Sequence, residues 1–322
     1  MIKNLYEKQC DILKTYFNNL SSKVALTTDI WTACTNQAYM SITLHWIDDN
    51  WQMHRILLDL IPLHERHTGT NLANIIDTII SDFNLGKKIM AITTDNAYNM
   101  NAFGQKFAQL LSTKYNNTIF RRIRCAAHIL NLIVKDGLKE AKVPVKKIRE
   151  FSITIRSSQC LLEDLKEIFK MKKRPFLVPE TDVSTHWNST YLMIKKMHKI
   201  RDITKILIAS HKELKDIYPN EEDWKELNML TILLEPIFEA TCIISASSHP
   251  TLGDLRMVLV VIADILKEAQ QENNTIIKRV VDKMEKKLNK YWRELKSAFH
   301  EAVILDPNSK LASFKDEEKC EA

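Results

Sequence analysis

Glycine is scarce, at five residues in 322, which excludes a collagen-like or glycine-rich chain and argues against a barrel crowded with tight turns. No two cysteines share CxxC spacing. Cys10, Cys34, Cys125, Cys160, Cys242 and Cys320 are scattered, so neither a zinc ribbon nor a disulfide-stapled secreted domain is indicated, and reduced thiols are expected. No run approaches the roughly 18 apolar residues of a membrane span. The N-terminus mixes charged and apolar residues instead of forming an apolar signal segment. No P-loop, nucleophile elbow, HExxH or dinucleotide fingerprint appears. Charge of one sign is not dominant either: the net +6 is a mild basic bias, compatible with a polyanionic partner. A soluble intracellular protein without a membrane partner is expected.

What is present is enough apolar residue, 45%, for a sizeable core in one large domain or two coupled ones. Residues 1–20 read as a lead-in amphipathic helix, with Leu5, Cys10, Ile12, Leu13 and Phe17 on its apolar face. Three strand-like runs follow at 23–31, 40–46 and 53–61. The second alternates strictly, Asp48-Asp49-Asn50 makes the next turn, and the third carries Ile56, Leu58 and Leu60 on one face and stops at Pro62. Leu72, Ile75, Ile76, Ile79, Ile80 and Phe83 mark a helix ended by Asn84-Leu85-Gly86. Then come a strand at 89–93, a helix through Phe103, Phe107, Leu110 and Leu111, a short basic strand at Arg121–Arg124, and a helix at 129–134.

Three hairpin-linked strands with parallel strands added through helical crossovers predict an α/β fold with a mixed RNase H-like sheet over 21–142. Helices are predicted at 145–170, 189–215, 221–246, 252–270 and 275–300, giving a large all-α region over 143–300 and a tail at 301–322.

Asp29 and Asp95 each end a strand, and in such a sheet those strands are neighbours. Their carboxylates can share Mg²⁺ or Mn²⁺, or each can be an Asx residue that satisfies backbone amides. Cys125 and His128 have CxxH spacing, but two ligands fall short of a zinc site. Cys125 is expected to be a buried small hydrophobe and His128 to support the acidic site. Between 121 and 200, 18 Lys and Arg face eight Asp and Glu, a local +10 that includes Arg121, Arg122 and Arg124. That polarity suggests phosphate contact, and a solvated helix face is the alternative. Trp187, just before a helix, can stack on an unpaired base or staple the helix start to the core.

Taken together and in order, Leu26–Thr32, His67–Asn71, Thr93–Met100, Arg124–Leu132, Ser184–Thr190 and Leu305-Asp306-Pro307 resemble the hAT superfamily of DNA transposases, especially its BED-finger, ricesleeper-like branch. The resemblance spans about residues 20 to 310. It implies an RNase H-like catalytic fold interrupted by a helical insertion, catalytic acids at Asp29 and Asp95, a CxxH motif at Cys125 and His128, and a DNA-contacting Trp187. It further implies nuclear localisation, DNA as partner, Mg²⁺ or Mn²⁺ as cofactor, and homo-oligomers. In that family a third acid, a glutamate, follows the Leu-Asp-Pro segment; Glu317 and Glu318 do not match its motif, no BED finger precedes Asp29, and His186 stands where an arginine precedes the tryptophan. A truncated transposase-like protein that binds DNA without cleaving it, with weakened oligomerisation, is therefore expected. The alternatives are a nuclease completed by another segment or chain, and a protein-interaction scaffold.

Overall fold

Strict alternation in the second strand builds the first half of the molecule. In the computed structural model, which describes residues 2–183, 186–246, 252–305 and 310, Ala38, Met40, Ile42, Leu44 and Trp46 all point into one core. The elements of this half are α1 (Ile2–Asn19), β1 (Val24–Thr32), β2 (Ala38–Ile47), β3 (Met53–Leu63), α2 (Gly69–Asp82), β4 (Ile89–Thr94), α3 (Asn99–Tyr115) and β5 (Arg121–Arg124). The strand order is β3-β2-β1-β4-β5. Pairings β1–β2 and β2–β3 are antiparallel, while β1–β4 and β4–β5 are parallel. This is the mixed α/β sheet of an RNase H-like fold. Phe17, Leu72, Ile76, Ile80, Phe103 and Phe107 from the helices close over it.

Two expectations change at β3. The strand does not stop at Pro62, which pairs with Tyr39; β3 is an edge strand, so the absent proline N–H deprives no neighbour. The register also shifts between Ile42 and Thr43, leaving Leu58 as the extra residue. Such a bulge inverts alternation beyond it, so Leu58 is buried while Leu60 is 48% exposed. On α1, Phe17 is buried, but Leu5 and Ile12 face outward and leave the predicted apolar face. At the end of α2, Asn84 takes the left-handed conformation (φ 53°). Gly86 is needed for space instead: an added Cβ would lie 2.3 Å from the Tyr115 ring.

Contacts divide the chain into two compact units, Met1–His128 and Ile129–Ala322. The described elements of the second unit are all helical: α4 (Ala126–Leu138), which begins just before it, α5 (Lys142–Ser157), α6 (Gln159–Met171), α7 (Trp187–Lys199), α8 (Arg201–Ser210), a 3₁₀ turn (Lys212–Ile217), α9 (Glu221–Ala246), α10 (Leu252–Ala269) and α11 (Thr275–Leu305). The single helix expected at 145–170 is two, because the Ser158 side chain accepts the Leu161 N–H and starts α6. Residues 189–215 likewise divide into α7, α8 and the 3₁₀ turn. Within α9, the segment Glu221–Ser245 does meet the length and apolarity of a membrane span, with a mean hydropathy of 1.6, contrary to the sequence expectation. A core helix meets the same criteria, and α9 packs on α5, α7, α10 and α11. Asp306, Pro307, Glu317 and Glu318 lie outside the described residues.

His211 clasps this unit, with Nε2 2.8 Å from Asp164 and Nδ1 3.1 Å from Glu213. The hydrogen bond to Asp164, aided by Glu213, raises the imidazole pKa against a smaller desolvation effect. A raised native pKa stabilises fully below the unfolded value and is lost as pH climbs through the native one. An NMR titration should therefore place His211 above the ordinary histidine range. Thermal stability should fall from pH 6 toward pH 8.5 in the wild type more steeply than in His211→Asn.

Candidate active site

The parallel pairing of β1 and β4 aligns the two acids. Thr27 pairs with Thr93, and Asp29 and Asp95 each lie two residues further on. Asp95 directly follows β4, but Asp29 does not end its strand as expected, because β1 goes on pairing with β2 as far as Thr32. Asp29 is exposed and Asp95 half-buried. The Oδ1 of Asp29 accepts the Ile30 N–H at 3.0 Å, and the Oδ1 of Asp95 accepts the Ala97 N–H at 3.2 Å. Both are local side-chain-to-backbone contacts of the kind open to aspartate, yet they engage only one oxygen of each carboxylate. Two hard oxygen donors suit Mg²⁺ or Mn²⁺, since Mg²⁺ commonly takes one or two carboxylates and keeps several waters. Among the described residues, no three His, Cys, Asp or Glu side chains are placed to hold a metal ion.

Arg122 proves to be a strut. Its Nε donates to Thr94 Oγ1 (2.9 Å), Nη2 to the Asp95 carbonyl (2.9 Å) and Nη1 to Asn101 Oδ1 (3.0 Å). Gly104 makes room for it, because an added Cβ would lie 2.7 Å from Arg122 Cδ. A guanidinium committed to three acceptors is not a free phosphate-binding arm, so the DNA-contact expectation for Arg122 gives way to a role in shaping the Asp95 loop. Arg124 reaches Asn96 Oδ1 at 3.4 Å, and Arg121 is exposed. The Nδ2 of Asn96 is buried with no acceptor. Further along the basic stretch, Lys139, Lys146, Lys147, Arg149, Arg174, Lys195 and Lys196 are paired with acids. The local +10 is thus partly neutralised where it stands.

The CxxH spacing reflects a helix start. Cys125 N–H donates to the Thr94 carbonyl at 2.8 Å, tying β5 to the residue before Asp95. Its sulfur accepts the backbone N–H groups of Ala127 and His128 at the first turn of α4, while burial pushes its thiol pKa up. A protonated thiol is a poor metal ligand. Cys125 is half-buried and caps a helix, which corrects the simple buried-hydrophobe expectation. The charges of Asp29 and Asp95 both reach this thiol, so it neighbours the two acids. His128 is half-buried in the same turn.

Trp187 opens α7 and is 2% exposed. Its ring meets Phe238 edge-on at 6.4 Å and Tyr191 at 6.5 Å, and its backbone N–H donates to Asn131 Oδ1 at 3.1 Å. An enclosed indole offers no face to a base, so the staple reading replaces the stacking one. Ser184 and Thr185 of this motif lie outside the described residues. Sequence reasoning missed Asn131 as the α7 cap, although a polar residue within Ile129-Leu130-Asn131-Leu132-Ile133 was the signal for it. It also missed Asn99, whose Nδ2 donates to the His67 carbonyl at 2.6 Å.

Comparison with known proteins finds three family models in chain order. Residues 27–119 match the ZBED1 RNase-like domain, 123–233 the ZBED1 RNase-like helical domain, and 255–317 the hAT-like transposase RNase-H fold. The chain is 29% identical to the "Putative AC transposase" of Zea mays, over 96% of this chain and 39% of that protein. It is 26% identical to zinc finger BED domain-containing protein RICESLEEPER 1 of Oryza sativa subsp. japonica, over 95% of this chain and 43% of that protein. The "Putative transcriptional regulator tpeD" of Talaromyces stipitatus is 26% identical over 76% of this chain and 32% of its own length. The chain thus spans about two fifths of the length of the transposase and RICESLEEPER 1 relatives it matches.

Proposed function

The chain belongs to the hAT superfamily of transposases, and from that premise we propose that it binds DNA in the nucleus at the carboxyl edge of its sheet without cleaving the strand by itself. The placement of Asp29 and Asp95, each two residues beyond the paired Thr27 and Thr93 of neighbouring parallel strands, carries this reading. These two carboxylates would hold Mg²⁺ or Mn²⁺, and an ion bound there would neutralise a phosphate drawn to the edge. Arg122 fixes the loop bearing Asp95. Without a third carboxylate among the described residues, the site supports binding better than cleavage. The name of one relative, "Putative transcriptional regulator tpeD", accords with binding that involves no strand scission.

The test is incubation with labelled duplex and Mg²⁺ or Mn²⁺. Retention of the duplex, weakening steeply with salt and leaving the strands intact, is expected. Cleavage that disappears in Asp95→Ala would contradict the non-cleaving part, and salt-insensitive partner binding with no DNA retention would favour a protein-interaction scaffold.

A further inference from the structure

A groove of about 460 Å³ opens between the end of β3 and α2. Because β1, β3 and β4 all run in the same direction, the connection leaving β3 emerges at the sheet edge that carries Asp29 and Asp95. Two contacts join it to the Asp95 loop. Asn99, four residues after Asp95, donates to the His67 carbonyl at 2.6 Å. Gly69, at the start of α2, packs so closely on α3 that an added Cβ would lie 2.4 Å from Phe103 N.

The groove's chemistry is divided between rim and floor. His64, Arg66 and His67 line one side, and their side chains have no partner among the described residues, while Ile61, Leu72 and Ile75 contribute apolar surface. One acid intrudes, Glu65, and its Oε2 already accepts the Asn71 amide at 3.0 Å. A guanidinium and two imidazoles over an apolar floor match a phosphate attached to a sugar and base. The volume lies within the range of small-molecule pockets.

Resting on the reading of the sheet edge as the DNA-binding site, we infer that this groove holds one nucleotide of the same strand, flanking the position nearest the acids. Its phosphate lies on Arg66, His64 and His67, and its sugar and base lie against Ile75.

The experiment is fluorescence anisotropy of a labelled oligonucleotide, single-stranded and duplex, across a salt series. Arg66→Ala should weaken binding severalfold and lower the salt slope by about 1, the signature of one lost phosphate contact. Lys87→Ala removes the same charge at the start of β4, on the opposite edge, and should leave the slope unchanged. Ile75→Trp, which fills the floor without altering charge, should weaken binding about tenfold with an unchanged salt slope. Circular dichroism and thermal unfolding of each variant verify the fold.

Equal slopes for Arg66→Ala and Lys87→Ala, with wild-type binding intact, would overturn the groove while leaving the edge reading standing. So would full affinity in Ile75→Trp. Displacement of the oligonucleotide by a free mononucleotide at millimolar concentration would overturn the strand assignment. No retention of either oligonucleotide by the wild type would overturn both readings.

Discussion

Trp187→Ala is expected to destabilise the protein by about 3–5 kcal/mol, the usual cost of emptying a large aromatic site in a core. The indole is buried and in ring contact with Tyr191 and Phe238, which themselves pack at 4.8 Å between centroids. Removing it leaves a cavity at the start of α7 that those rings cannot readily fill. The Asn131 cap would survive, because it binds the backbone of residue 187, so the loss should be one of packing. Urea unfolding of the wild type, Trp187→Ala and Trp187→Phe measures this, with phenylalanine recovering most of the stability. A Trp187→Ala protein of unchanged stability and lost DNA affinity would restore the base-stacking role.

Gly69→Ala should cost about 1–3 kcal/mol or more, although alanine is the better helix former by roughly 0.5–1 kcal/mol. The sign is decided by what the methyl group meets. Its Cβ would lie 2.4 Å from Phe103 N and 2.8 Å from the Ala102 carbonyl carbon. Both are backbone atoms inside α3 and cannot turn aside as a side chain could. The first turns of α2 and α3 would have to separate, loosening the Asn99 bond to His67. Thermal unfolding should show a lower midpoint for Gly69→Ala, whereas a raised midpoint would mean that helix propensity prevails.

Much of this fold is legible in the sequence because it rests on local periodicity. The alternation from Met40 to Trp46 and the 3.6-residue stripe from Leu72 to Phe83 each specify an element without reference to the rest of the chain. Asp29 and Asp95 can be picked out for the same reason, since Asp29 lies toward the end of one strand run and Asp95 follows another, and the topology makes the two strands neighbours. What stayed hidden depends on long-range contacts. The bulge at Leu58 is set by pairing with β2, so nothing in the β3 sequence marks Leu60 as exposed. Arg122 looks like any arginine in a basic run until β4 and α3 supply its acceptors. Trp187 looks available until Phe238, some 50 residues later, encloses it. The break at Ser158 is readable as a serine cap, which the helical reading of 145–170 passes over.

The most direct measurement is a Mn²⁺ titration followed by electron paramagnetic resonance of the free ion, with and without a bound oligonucleotide. Paired carboxylates at the sheet edge predict Mn²⁺ binding by the wild type that tightens when DNA is present. Binding should be lost in Asp29→Ala and in Asp95→Ala, with thermal unfolding unchanged in both. Mn²⁺ binding that persists undiminished in both variants, or is absent from the wild type with DNA bound, would contradict the account.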